Sequence, residues 1–197
     1  MDRRDFLKTL AAAGAMLTMK SNGVMDIMAS TLPGTATAQA AADNYADMAA
    51  IMNGEPAAML RAALEQLGGI KRFVKKGDKV TLKPNIGWDR TPELAANTNP
   101  DLIVEMIKQC QNAGAAEVRV FDHTCDEWTR CYDHSGIDKA VKAAGGIMVP
   151  ANEESYYQEI ELPKGKALKK AKVHKAILES DVWFNIPVLK NHGGARL

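Results

Sequence analysis

Three short polar groups in this chain each follow directly on an apolar, strand-like run. They are Lys83 and Asn85; Asp122, His123 and Thr124; and Lys190, Asn191 and His192. A cation, a carboxylate, two imidazoles and amide donors are the parts needed to hold a carboxylate or phosphate and to transfer a proton. Asp122, His123 and His192 are the catalytic candidates. Lys83, Asn85, Thr124, Lys190 and Asn191 are the ligand-binding candidates. Lys83 would neutralise an anion. Asp122 and His123 would serve as base and partner or as metal ligands, and Lys190 and His192 would complete the site from another strand. Taken singly, each has a plainer reading, Lys83 as a strand-end surface charge and His192 as a loop histidine. Only convergence makes them a site.

A second constellation overlaps the first. His123, Cys125, Cys131 and His134 have the spacing H-x-C-x5-C-x2-H, four soft or borderline ligands that could hold zinc, iron or copper tetrahedrally. A divalent metal is therefore a candidate cofactor, its identity unknown. A disulfide between Cys125 and Cys131 competes with this reading and is preferred, because an exported chain meets an oxidising compartment. Cys110 lies on an apolar helix stripe and is expected to be a buried thiol. The chain has no C-x-x-C pair of the kind that lowers a thiol pKa, and no clustered cysteines that would bind an iron–sulfur centre.

The elements that must position these residues alternate. Pro56 opens a helix with Met59, Leu60, Ala63, Leu64 and Leu67 as its stripe, and Gly68-Gly69 stops it. Asn99 caps a second helix with Ile103, Met106, Ile107, Cys110 and Ala113 on one face, closed by Gly114. Ser135-Gly136-Ile137-Asp138 resembles a capping box with Asp in place of Glu. Strands are predicted at 79–83, 117–122, 146–149 and 182–186, the last as a buried strand with Trp183 in the core; 159–162 reads as an edge strand. This alternation implies βαβ units: an α/β fold, a mostly parallel sheet with flanking helices in an incomplete Rossmann-like three-layer architecture. In such sheets ligands bind beyond the carboxyl ends of the strands. The 17-residue loop Pro84 to Pro100 is long enough to be functional. Trp88 and Trp128 lie beside the loops, where packing is the plainer role and a pocket wall the alternative. Lys164 to Lys175 holds six lysines in twelve residues and reads as a solvated face rather than an anion-binding patch.

The first residues address the chain. Asp2-Arg-Arg-Asp-Phe-Leu-Lys8 precedes an uncharged run from Thr9 to Met19, the pattern of a twin-arginine export signal. That route carries proteins already folded. The run falls short of the roughly 20 apolar residues of a membrane span. Ala38-Gln39-Ala40 fits a signal-peptidase site, giving a leader over 1–40 and an α/β domain over 41–197. The translocase and signal peptidase are then partners, and the destination is the periplasm or another extracytoplasmic space. The leader holds four of the 25 basic and three of the 24 acidic residues. The remainder has 21 of each, a balance that excludes a nucleic-acid binder of the usual basic kind. No later stretch is apolar enough to span a bilayer.

Lys83-Pro-Asn-Ile-Gly-Trp88, Phe121-Asp-His-Thr124 and Pro187-Val-Leu-Lys-Asn-His-Gly-Gly194 together resemble the domain of unknown function 362 family, over about residues 70–197. The resemblance implies an α/β protein, twin-arginine export, and for some members an appended ferredoxin-like iron–sulfur module. It implies no particular activity. Members continue past the segment that ends here in Leu197, so a truncated C-terminal side and an open sheet edge are expected. Two functions follow. One is an exported protein that binds a small anionic ligand or metal cofactor at the strand ends, with a redox link left open. The other is a non-catalytic binding or assembly protein that pairs with a partner chain through its open edge.

Overall fold

A computed structural model describes residues 45–190; the leader calls over 1–40 and the candidates Asn191 and His192 lie outside them. The element order is α1 (Pro56–Gln66), β1 (Lys79–Pro84), α2 (Pro100–Ala113), β2 (Glu117–Val120), α3 (Trp128–His134), α4 (Ile137–Ala143), β3 (Ile147–Met148), β4 (Tyr157–Glu161), β5 (Lys170–His174), α5 (Lys175–Leu178) and β6 (Val182–Ile186). β1, β2, β3 and β6 form one sheet in the order β3-β2-β1-β6, and every pairing in it is parallel. The α/β reading holds.

The helices begin and end where local chemistry dictates. Pro56 sits at the first position of α1, where its missing N–H costs nothing. Asn99 caps α2 by accepting the Asp101 N–H at 2.8 Å, and Gly114 closes it at φ 92°, a left-handed angle that glycine adopts without strain.

Side chains alternate across β1 and so divide the two faces of the sheet. Val80 and Leu82 are fully buried with Ile103, Met106, Ile107 and Cys110 of α2, Ile137 and Val141 of α4, and Leu64 of α1. Thr81 points the other way, and its hydroxyl donates to the Ala176 carbonyl at 2.8 Å, seating α5 on the second face. Phe121, Ala151 and Ala176 form a smaller core there, with Val149, Tyr157 and Ile177 against it. Among the described residues, no helix is long and apolar enough to cross a membrane.

Several sequence expectations change. Residues 159–162 do not edge the main sheet. They fall within β4, which pairs antiparallel with β5 in a hairpin of its own. The lysine run is therefore partly strand: β5 begins at Lys170, which pairs with Glu159 and Glu161 across the hairpin, while Lys172 pairs with Glu154 ahead of β4. The stretch Trp128–His134 is a helix that the pattern did not reveal, with Glu127 capping it by accepting the Thr129 and Arg130 N–H groups. Ser135 is not an N-cap. Gly136 holds that place at φ 71°, and Asp138 pairs instead with Lys142 one turn on. Trp183 is not in the core: β6 pairs only with β1 among the described residues, and Trp183 is 50% exposed.

His174 joins the hairpin to the sheet. Only 3% exposed, it stacks on Phe121 with centroids 4.0 Å apart. Its Nδ1 accepts the Ala176 N–H and caps α5, which leaves Nε2 to donate to the Pro150 carbonyl, both at 3.0 Å. The ring is thus held neutral, and burial pushes its pKa below the ordinary 6.5. The unfolded chain takes up the proton first as the pH falls, so stability is full above 6.5 and declines below it. We expect denaturation midpoints to drop between pH 7 and 5. His174→Asn, which keeps a cap acceptor, should flatten that slope; an unchanged slope would remove His174 as its source.

Candidate functional site

Strand order marks where a candidate site lies. From β1 the chain steps outward to β2 and β3, then returns to place β6 on the opposite flank of β1. The reversal lies between β1 and β6, the position at which open parallel sheets leave a crevice beyond their carboxyl ends. Lys83 and Asn185 are register partners there. The long loop after β1 folds back over this end and is tied to both strands through Thr98. Its hydroxyl accepts the Asn85 N–H and donates to the Ile186 carbonyl, each at 2.8 Å, and its own N–H reaches the Asn85 carbonyl at 2.9 Å. Lys190, following β6, reaches the Ala96 carbonyl at 3.4 Å, and its ammonium stands 5.9 Å from the Trp88 ring centre. Trp88 is in turn held by Asn97, whose side chain accepts the Trp88 N–H and donates to its carbonyl.

Asp122 joins this loop to the end of β2. One carboxylate oxygen takes the Lys83 ammonium at 2.5 Å and the other takes the Ile86 N–H at 2.7 Å. The side chain is almost fully buried, while Lys83 is about a third exposed. Tyr132 clamps the backbone beneath: its hydroxyl donates to the Asp122 carbonyl at 2.8 Å and accepts the Asp122 N–H. Burial pushes the Tyr132 phenol far above its ordinary range, so it stays neutral.

His123 stands exposed beside this clamp. Its Nδ1 lies 2.8 Å from the Ala151 carbonyl, which can only accept, so Nδ1 is the donor and, in the neutral ring, Nε2 carries the lone pair. A second donor, the Tyr157 hydroxyl, meets the same carbonyl at 3.0 Å and lies 3.3 Å from Nδ1. Burial and then the Asp122 charge raise the Tyr157 pKa and keep it a phenol. A fixed tautomer with a free ring nitrogen is what a proton acceptor needs. Tyr157, 34 residues away in sequence, is the neighbour of His123 that sequence reading missed; its adjacency to Tyr156 marked only the start of a strand.

Lys83, Asn85, Asp122, His123 and Lys190 thus gather at the carboxyl edge of neighbouring strands. Thr124 takes a different part, since its hydroxyl donates to the Asp126 carbonyl and shapes the loop. The proposed metal quartet does not assemble. Cys131 is fully buried on α3, His134 pairs through Nδ1 with Asp89 at 2.5 Å, and His123 faces Ala151. Among the described residues no three His, Cys, Asp or Glu groups cluster at ligating distance. The Cys125–Cys131 disulfide is likewise corrected: both are free thiols, Cys125 on the exposed loop and Cys131 in the helix core. Cys125 instead lies against Gly87, where an added Cβ would be 3.6 Å from its sulfur and 3.5 Å from the Asn85 amide. Away from this edge, a shallow depression of about 180 Å³ between the starts of α1 and α2 is lined by Glu55, Pro56, Asp101, Glu105 and Lys108, and holds none of the rim residues.

Burial pushes the Cys110 thiol up to about 12, and burial together with the Asp126 charge raises Cys131. One thiol per native chain, Cys125, should therefore react promptly with a disulfide reagent, and all three after denaturation without reductant. Only one thiol titrating in the denatured, unreduced protein would restore the disulfide.

A twin-arginine translocation pathway signal sequence matches residues 1–19, so the chain carries an export signal. A thylakoid-associated protein of Synechocystis sp. is 27% identical over 139 residues, 71% of this chain and 42% of that relative. The chain thus spans less than half of that relative's length. No solved structure matches. The profile of one family matches residues 80–197, from β1 through the Lys190 segment, and on that match the chain belongs to the domain of unknown function family DUF362.

Proposed function

We propose that this chain acts beyond the cytoplasmic membrane, in the periplasm of a two-membrane cell, and binds a small anionic ligand in the crevice between the ends of β1 and β6. The strand reversal at that crevice carries the reading, with Lys83 and Lys190 rising from the two strands that border it. Lys190 is the chief anion contact, because Lys83 already shares its charge with Asp122. Asn85 contributes an amide, and Trp88 walls the crevice beside Lys190. His123 offers Nε2 as a proton acceptor, its tautomer set by Ala151 and its surroundings by Tyr157. The Asp122 carboxylate orients Lys83 and the loop rather than taking up the proton, since both its oxygens are engaged.

The test is thermal stabilisation of the exported protein against a panel of phosphate and mono- and dicarboxylates. We expect at least one anion to raise the melting temperature. Lys190→Ala, at a half-buried surface site, should weaken that anion about tenfold, the effect of one charge-assisted hydrogen bond of roughly 1.5 kcal/mol. His123→Gln should leave binding nearly intact and abolish any proton transfer. No shift with any anion, or full binding in Lys190→Ala, would end the proposal.

A second reading rests on a different observation. Among the described residues one side of β6 pairs with no strand, and β6 carries Val182, Trp183, Phe184, Asn185 and Ile186, with neither charge nor proline to discourage another strand. Pairing there would make the chain an assembly module. Light scattering of the exported protein should then show a dimer or complex that Phe184→Pro disperses, and a monomer at all concentrations tested would reject it.

A further inference from the structure

The β4–β5 hairpin is an arm whose charge is distributed unevenly. Its base is anchored, with His174 buried and Tyr157 half-buried against the smaller core. Along its length the charges cancel. Lys170 pairs with Glu159 and Glu161, and Lys172 pairs with Glu154. At its tip they do not. Between Leu162 and Lys169 the turn holds Lys164, Lys166 and Lys169 and no acid, and none of the three is in an ion pair among the described residues. Lys169 donates to the Gly165 carbonyl at 2.7 Å, which fixes its stem along the turn and leaves its charge uncompensated. Leu168 stands among them, 59% exposed, with Pro163 and Ala167 also open to solvent. The turn is tight: a Cβ on Gly165 would run into the Leu168 carbonyl oxygen.

We propose that the hairpin tip docks on an anionic membrane surface. Three unpaired lysines around one exposed leucine match a negatively charged headgroup layer with acyl chain just beneath. The ammonium groups reach phosphate while the leucine enters the interface. An acidic protein would satisfy the lysines but offers no reason for Leu168 to be exposed between them. The strand lysines, neutralised by their glutamates, take no part. This inference is independent of the ligand crevice, since the tip contains none of the crevice residues.

The experiment is co-flotation of the exported protein with vesicles of phosphatidylcholine alone or with 30% phosphatidylglycerol. The docking surface predicts binding to the anionic vesicles only. Binding should fall about fivefold for each tip lysine removed and should be lost at high salt, which screens exposed charge. K164Q/K166Q/K169Q and Leu168→Ser should each release the protein, while K170Q/K172Q should bind as the parent does. Circular dichroism melts would establish that every variant is folded. Failure to float with anionic vesicles, equal flotation with neutral ones, or undiminished binding of the triple variant would overturn the proposal. Anion-induced stabilisation measured on the triple variant separates the two claims, since the crevice should still respond.

Discussion

The carboxylate of Asp122 is the constraint on which the functional edge depends. It is the first residue past the smaller core's Phe121, and it receives a charged donor from the end of β1 and a backbone donor from the loop that follows. A buried carboxylate needs such partners, since desolvation without them costs several kcal/mol. Meeting that need pulls the loop after β1 onto the end of β2 and places Lys83 at the rim. Tyr132 supports the same residue from α3 through its backbone. Three elements are thereby fixed about one side chain, and His123 comes next in the chain.

A second tie works at right angles to the first. Thr98 bonds the β1 end to the β6 end across the strand reversal. Its buried hydroxyl uses both donor and acceptor capacity, the requirement for a polar group out of water. The residues between β1 and α2, 85–99, therefore form a strapped loop, with Asn97 and Trp88 exchanging hydrogen bonds within it. A ligand entering the crevice would meet preset groups and little ordering cost.

Much of this was legible in the sequence because local chemistry and tertiary packing agree. The Pro56 and Asn99 helix starts, the Gly114 stop and the β-branched and apolar residues of the strands read at 79–83 and 182–186 each carry a signal within a few residues. Grouping Lys83 with Asp122 and His123 needed only the rule that polar residues at parallel-strand ends share an edge. What could not be read depends on distance through space. Tyr157 joins His123 only because the hairpin base packs under the sheet. The spacing of Cys125 and Cys131 is compatible with a bond, yet α3 turns one sulfur into the core and leaves the other on the loop. The short helix Trp128–His134 has too few turns for apolar periodicity to show. Trp183 has a core residue's composition and an edge strand's position, and composition alone cannot distinguish them.

The strand reversal also orders events in time. The pairing of Val80 with Val182, like the bond from the Asp181 N–H to the Lys79 carbonyl, joins positions 102 apart in the chain, whereas β1 finds β2 within about 40 residues. Contacts of such long range close late in folding, after the loop entropy has been spent. Among the described strands, the β1–β6 edge is therefore the last to close. A nascent chain must be synthesised through β6 before these two strands can pair, and a translocase that accepts only finished folds would in effect be inspecting that closure.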